Sequence, residues 1–389
     1  MSFLSAELEP LPGYPVVGMV GGGQLARMTH QAAIGLGIGF RVLSATPDDS
    51  AARVTREVML GDPDSVAAAS AFARACDVVT FDHEQVPPAT LEAMAATGTP
   101  LRPSPDALIY AQDKLAMRRL LERSGLPNPQ WAQVGSAEEA TAFGEAQGWP
   151  IILKTSRGGY DGKGVWLCRD RAGVVSAFES GYPGAWLAEA YVPFQQELAV
   201  LVARSPSGQA VTYPVVRTVQ TDGICTQVVA PAPDVSTGES GRAQSVALRI
   251  AELTGVTGLL AVEMFDTGDD VLVNELAMRP HNSGHWTMDG AMTSQFENHL
   301  RAVLDLPLGD PRPRAPWTVM QNILGGEPDM YSALKHVFAA DPALRLHLYG
   351  KAVRPGRKVG HVNAYGDELD SCLDRAVHAA DYISGVIDE

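Results

Sequence analysis

Two apolar runs, residues 259–266 and 271–278, are separated only by Thr267-Gly268-Asp269-Asp270, and no other feature limits the fold as tightly. The spacing predicts a β-hairpin. With the turn centred on Asp269, Glu263 faces Glu275 across the two strands. Directly opposed like charges are destabilising, the more so beside Ala261, Val262, Val273 and Leu276. Something positive has to offset them. Carboxylates without His or Cys point to magnesium, which takes one or two protein carboxylates and completes its shell with nucleotide phosphate and water. A register shifted by one residue would instead put the two acids on different faces.

The remainder of the chain predicts mixed α/β and α+β architecture. Its 389 residues suggest two or three domains, and 46% hydrophobic against 19% charged residues is enough to fold them. Residues 1–13 read as a tail. Apolar strands at 16–20, 40–43, 58–60 and 78–81 alternate with helices at 24–36 and 64–75, the latter capped by Asp64 or Ser65. That alternation predicts a Rossmann-like parallel βαβ domain over 14–112. Pro103 and Pro105 punctuate the chain before a bridging helix at 113–124. A second unit, 113–190, has strands at 131–134 and 151–154 and a capping box, Ser136 to Glu139. Residues 191–389 read as a mainly antiparallel lobe, in which 310–389 forms a smaller part with a hairpin at Pro355-Gly356 and a closing helix, 368–383. No internal repeat is visible.

A net charge of −15 disfavours nucleic acid. No run approaches the roughly 20 apolar residues of a membrane helix, and Glu7 and Glu9 precede any strand without a basic segment, so the expected compartment is the cytoplasm. Cys76, Cys168, Cys225 and Cys372 are widely spaced and read as reduced thiols.

Two glycine turns invite phosphate. The first, Gly21-Gly22-Gly23-Gln24-Leu25-Ala26, fits a loose dinucleotide fingerprint between strand and helix. The next strand ends Leu43-Ser44-Ala45 without the acid a ribose requires, so tight helix packing explains the glycines equally well. The second follows Lys154: Arg157-Gly158-Gly159-Tyr160-Asp161-Gly162-Lys163-Gly164, then a returning strand from Val165. Four glycines there suit a mobile cover over a triphosphate, with a floppy hairpin as the plainer alternative. After the glutamate hairpin, Arg279-Pro280-His281-Asn282-Ser283-Gly284-His285 offers groups for a small anion, with Arg279 able to grip a carboxylate or bicarbonate bidentately. Lys351, Arg354, Arg357 and Lys358 gather four cations in an acidic chain, as a phosphate monoester pocket or a solvated basic hairpin.

Taken in order, Gly22-Gly23-Gln24-Leu25, the 159–164 loop, Asn274-Glu275-Leu276-Ala277, the His281–Thr287 run and Gly350-Lys351 with Arg354-Pro355-Gly356-Arg357 carry a resemblance from about Val16 onward. The chain resembles the 5-(carboxyamino)imidazole ribonucleotide synthases, bicarbonate-using ligases of purine biosynthesis in the ATP-grasp superfamily. The resemblance implies a homodimer of three-domain chains with ATP between two lobes. It implies that Lys114 and Lys154 contact ATP phosphates under the 159–165 loop (Gly159, Tyr160, Asp161, Gly162, Lys163, Gly164, Val165). Glu189, Ala190, Tyr191 and Val192 would lie beneath the adenine, and Glu197 would hold the ribose. Glu263 and Glu275 would ligate magnesium, two ions in all. Gln24, Leu25, Glu84, Asp161, Lys163, Arg279, His281, Asn282, Ser283, Lys351, Arg354, Arg357 and Lys358 would surround bicarbonate and aminoimidazole ribonucleotide. Asp161 or His281 would take the amine proton. Gln220 stands where the family commonly has a histidine, putting one phosphate contact in doubt. Ala277 stands where many ATP-grasp enzymes have an asparagine, leaving Asn274 or water to complete the metal shell. The competing readings are a formate-dependent phosphoribosylglycinamide formyltransferase, a non-catalytic nucleotide-binding regulator and a dinucleotide dehydrogenase.

Overall fold

The computed structural model describes residues 12–159, 163–325 and 329–387. The first sheet is parallel, in the order Glu57–Leu60, Gly39–Ser44, Val16–Val20, Val78–Phe81. Val16–Val20 and Val78–Phe81 are buried throughout, which is why they read as unbroken apolar runs. Helix Gln24–Leu36 closes on Gly37 in the left-handed region. Helix Val66–Arg74 is capped by Ser65, whose side chain accepts from the Ala68 N–H. Pro105 does not interrupt the chain. It opens helix Pro105–Gln112 behind the cap Ser104, where a missing N–H costs nothing.

The second sheet, antiparallel, runs in the order Trp131–Val134, Trp186–Ala190, Ile151–Thr155, Val165–Cys168. The expected capping box is half formed. Ser136 accepts from Glu139 N, but the Glu139 carboxylate turns back to the N–H of Gly135 instead of Ser136. The reciprocal box occurs at Ser236 and Glu239 and opens the 18-residue helix Thr237–Thr254. That helix interrupts a region expected to be strands. Its polar, glycine-containing first half, Thr237-Gly238-Glu239-Ser240-Gly241, hid it from periodicity.

The third sheet has nine strands among the described residues. Its main path is Val271–Ala277, Gly258–Asp266, Gln196–Arg204, Val216–Thr221, Ile224–Ala230, Trp317–Leu324, Lys358–Gly366, Arg345–Leu348. One face carries the site. Helix Thr237–Thr254 packs behind, through Ala243, Ala247, Ile250 and Ala251, onto Val200, Val202, Leu260 and Val262. Helix Gln295–Val303 lies between this sheet and the first domain, with Phe296, Leu300 and Val303 in one apolar cluster with Met19, Leu25 and Met28. Residues of the first domain and of the third-sheet lobe thereby meet, Glu84 with Arg279 and Gln24 with Lys351. Among the described residues no helix is long and apolar enough to cross a membrane.

Candidate active site

The glutamate hairpin is closed more tightly than a turn centred on Asp269 would make it. Asp266 faces Val271 and Met264 faces Val273. Continued, that register would set Glu263 against Asn274 and turn Glu275 to the far face. A β-bulge between Glu263 and Met264 takes up Asn274 as the extra residue, and Glu263 does face Glu275. The acids therefore oppose each other as expected, but because of an irregularity the sequence argument lacked.

The positive charge beside Glu275 comes from the chain. Lys114 Nζ lies 2.6 Å from Glu275 Oε1, where it opens a helix capped by Asp113. Burial alone would raise the Glu275 carboxyl; Lys114, Lys154 and Arg118 outweigh burial and lower it. Glu263 has no lysine or arginine in ion-pair contact among the described residues; its neighbour is His281 Nε2 at 3.6 Å. Burial, Glu275 and Glu197 push it up to about 7.

Lys154, expected to meet phosphate, is held by protein. Its Nζ is 2.7 Å from Glu189 Oε2 and donates to Asn274 Oδ1 at 3.0 Å. Glu189 is 2% exposed and also takes Arg118 Nε at 2.5 Å. Burial would raise Glu189, yet the two cations bring it to about 2. The Glu189 side chain is thus committed inside the protein. Tyr191 is exposed. Asn274 Oδ1 likewise accepts from Lys154. Sequence reasoning missed Arg118. Its signal was a second cation one turn after Lys114 on a helix whose inner face also buries Leu115, Met117 and Leu121.

Arg279 is already paired through part of its guanidinium, Nη1 donating to Pro280 O at 3.2 Å. Its Nε meets Glu84 Oε2 at 2.7 Å, and Glu84 Oε1 accepts the Met278 N–H at 3.0 Å. His281 is half-buried, its side chain 16% exposed, and desolvation with Arg279 and Lys358 holds its imidazole well below the ordinary value, so the ring is neutral. Its Nδ1 accepts from Ser283 N at 3.3 Å and lies 2.9 Å from Ser283 Oγ. The proton therefore sits on Nε2, which makes His281 a donor toward Glu263 rather than the acceptor of an amine proton. The Asn282 amide borders the Cys225 thiol. Glu197 shares the sheet face of Glu263 and is hydrogen-bonded by Gln220, the residue at the position of the family's histidine.

The four basic residues have different contacts. Lys351 donates to Gln24 Oε1 across the lobes. Lys358 acts on Glu263, His281 and Cys225. Arg357 Nη1 donates to Ala352 O at 3.2 Å, and Arg354 is exposed. Arg27, donating to Ser50 O, borders Gly350 beside Lys351.

The first glycine turn already holds a carboxyl group. Asp82 accepts from Gly23 N at 2.5 Å and from Ala26 N at 3.0 Å. A Cβ on Gly23 would lie 2.2 Å from Asp82 Oδ2, and one on Gly22 would lie 2.3 Å from Ser44 Oγ. These glycines make room for protein side chains, which answers the dinucleotide reading. Leu25 packs in the adjoining apolar cluster. In the second turn Gly164 has φ +73° and folds against Thr155, while a Cβ on Gly159 would meet Lys163 O at 2.8 Å. Lys163 and Val165 are exposed. Tyr160, Asp161 and Gly162 lie outside the described residues.

Comparison with known proteins is consistent along the chain. Residues 15–112 match the ribonucleotide synthetase preATP-grasp domain, 119–296 the ATP-grasp domain and 318–375 the phosphoribosylaminoimidazole carboxylase C-terminal domain. The N5-carboxyaminoimidazole ribonucleotide synthase of Mycobacterium tuberculosis is 52% identical over 377 residues, covering 95% of this chain and 88% of the relative. A carboxyaminoimidazole ribonucleotide synthase from Aspergillus clavatus, solved with ATP, superposes with a TM-score of 0.88 at 32% identity, covering 96% and 99% of the two chains. The same fungus's enzyme solved with ADP and 5-aminoimidazole ribonucleotide gives 0.87 at 32% identity, covering 95% and 98%.

Proposed function

The chain belongs to the N5-carboxyaminoimidazole ribonucleotide synthases, an ATP-grasp family, and from that premise we infer that it spends ATP to carboxylate the amine of 5-aminoimidazole ribonucleotide in purine biosynthesis. The observation that carries the reading is the facing pair Glu263 and Glu275 flanked by Lys114, Lys154 and Arg279. Bicarbonate is the carbon source. One of its oxygens attacks the γ-phosphorus of ATP while the bond to the ADP oxygen breaks, giving carboxyphosphate. Carboxyphosphate gives CO2 and phosphate, the amine nitrogen bonds the carbon, and that nitrogen releases a proton to solvent or a nearby base.

Phosphoryl transfer asks a protein mainly for position and charge. Here the four cations lining the acids already meet carboxylates, Lys114 on Glu275 and Arg279 on Glu84, with Lys154 and Arg118 sharing Glu189. A polyphosphate entering such a site needs positive charge brought with it. Glu263 and Glu275 fit a hard divalent cation, being opposed carboxylates of which Glu263 has no lysine or arginine in ion-pair contact among the described residues, and they would hold magnesium. Bound there, magnesium would neutralise phosphate charge. Among the described residues no group of three or more acidic, histidine or cysteine ligands exists, in keeping with a metal that takes two carboxylates and fills its shell from substrate and water. Lys114 and Lys154 orient the phosphates, the 189–192 backbone and Glu197 hold the nucleoside, and His281 Nε2–H with Arg279 and Ser283 holds bicarbonate. Gln24, Lys351 and Arg354 receive the ribonucleotide. Asp161 and Lys163 belong to the cover that keeps water from carboxyphosphate. A homodimer in the cytoplasm accompanies this assignment.

The test is substrate dependence of ADP release by the purified chain. Release requires bicarbonate and aminoimidazole ribonucleotide together; release driven by formate with glycinamide ribonucleotide would overturn the assignment in favour of the formyltransferase.

A further inference from the structure

The loop that carries His281, Asn282 and Ser283 is clamped by one buried amide from another element. Gln295, the first residue of helix Gln295–Val303, is 0% exposed. Its Oε1 accepts the His281 N–H at 2.9 Å, and its Nε2 donates to His281 O at 2.8 Å. Both backbone polar groups of one residue are thus held by one planar side chain, which fixes His281 in extended conformation at φ −126°, ψ 154°. With Oε1 serving as acceptor, Nε2 has a second hydrogen, and it goes to His285 Nδ1 at 3.0 Å. Gln295 N donates to Thr287 Oγ1 at 2.8 Å, and that hydroxyl donates to Gly284 O at 2.6 Å. A Cβ on Gly284 would fall 2.4 Å from Gln295 Oε1, so the glycine makes room for the clamp.

We propose that Gln295 is a positioning residue for the bicarbonate step: it sets the backbone of His281 so that the ring, turned by its Nδ1 bond to Ser283, presents Nε2–H to the reacting anion beside Glu263. The proposal rests on the functional reading above. Gln295 touches neither nucleotide elements nor the Glu263–Glu275 hairpin through its side-chain hydrogen bonds, all of which go to His281 and His285. Its helix is anchored in the apolar cluster shared with the first domain, so the amide is presented from a rigid support. A displacement of about 1 Å in a positioned group is enough to cost on the order of 100-fold, and losses of supporting hydrogen bonds around ligating groups run about 10 to 100-fold.

The experiment compares Gln295→Leu with Asn298→Ala. Asn298 is an equally buried amide on the same helix, but it bonds Tyr213 Oη and the backbone of Gly309, away from the loop. In steady-state ADP release, Gln295→Leu raises KM for bicarbonate by about 10-fold or more, with KM for ATP within about 3-fold of wild type. Asn298→Ala lowers the thermal midpoint yet leaves the bicarbonate KM unchanged. If Gln295→Leu does not fold, Thr287→Val carries the test, since it removes the hydroxyl joining Gln295 N to Gly284 O; the same split is expected, with Thr287→Ser restoring it. Equal changes in both KM values, no change, or the same split in Asn298→Ala would overturn the proposal. Wild-type release that does not require bicarbonate would remove the functional reading and this inference together, whereas bicarbonate-dependent wild type with an unmoved Gln295→Leu removes only the inference.

Discussion

Replacing Glu189 with Gln removes one charge from a buried set of three. Arg118 is 0% and Lys154 7% exposed, and both lie within 2.7 Å of the Glu189 carboxylate. Burial pushes Glu189 up, the two cations overcome it, and the carboxyl falls from 4.5 to about 2, equivalent to about 3 kcal/mol at neutral pH. Breaking a buried pair by removing one partner typically costs about 3–5 kcal/mol, because the other charge is stranded. The two routes agree. In urea, with a slope on the order of 3 kcal/mol/M for a chain of this size, Glu189→Gln lowers the midpoint by about 1 M. The pH dependence supplies a second check. A carboxyl depressed in the folded state stabilises above its unfolded pKa and loses that contribution as pH falls from 4.5 toward 2. The gap between wild type and variant therefore narrows by about 1 kcal/mol between pH 7 and pH 4. A midpoint shift under about 0.3 M at pH 7, or a gap that does not narrow, would show that the ion pairs are not what holds these residues.

Glu275→Ala abolishes magnesium-dependent ADP release while the chain still folds, the Glu275 side chain being 41% exposed though Lys114 loses its partner; retained turnover would remove Glu275 from the metal role. Acid stability follows from three histidines with no exposed surface, His285, His299 and His361, all held below the ordinary imidazole value chiefly by burial, His299 at about 3. His299 Nδ1 accepts the Leu259 N–H and its Nε2 meets Thr80 Oγ1, so its neutral form is built in. The unfolded chain takes protons that the folded chain refuses, so stability falls below about pH 6.5, each histidine adding up to about 1.4 kcal/mol per pH unit. Urea midpoints flat from pH 7 to pH 5 would contradict this, and His299→Gln should flatten the slope by about one proton.

The parts of this architecture legible in the sequence are those set by local pattern. The strands 16–20 and 78–81 and the helix 24–36 follow from apolar runs and a glycine stop, and all three occur at those residues. The hairpin and its opposed acids were also legible. What escaped was non-local. The carboxylate that fills the first glycine turn comes from Asp82, separated by 59 residues from Gly23, and nothing in either segment alone announces the other. The partners of Lys114 and Lys154 are 161 residues and 120 residues distant at Glu275 and Asn274. Read in isolation, a lysine near a glycine loop suggests a free phosphate ligand, while the fold gives it an acid. The partner of Lys351 is as distant, Gln24 at a separation of 327 residues.

Arg118 joins these long-range contacts into one causal chain. Its Nε is on Glu189, its Nη1 donates to Val273 O at 2.7 Å and its Nη2 to Asn274 O at 2.9 Å. Those two carbonyls belong to the bulged stretch of the hairpin, so the guanidinium occupies the backbone acceptors that an extra residue takes out of the ladder. The bulge in turn decides whether Glu275 faces Glu263 or the opposite side of the sheet. A charge buried for no evident catalytic purpose thus fixes the register of the residues that have one. Glu189 matters to the reaction through this route as well as through Lys154, because a guanidinium released from Glu189 is released from the carbonyls that keep the two acids in opposition.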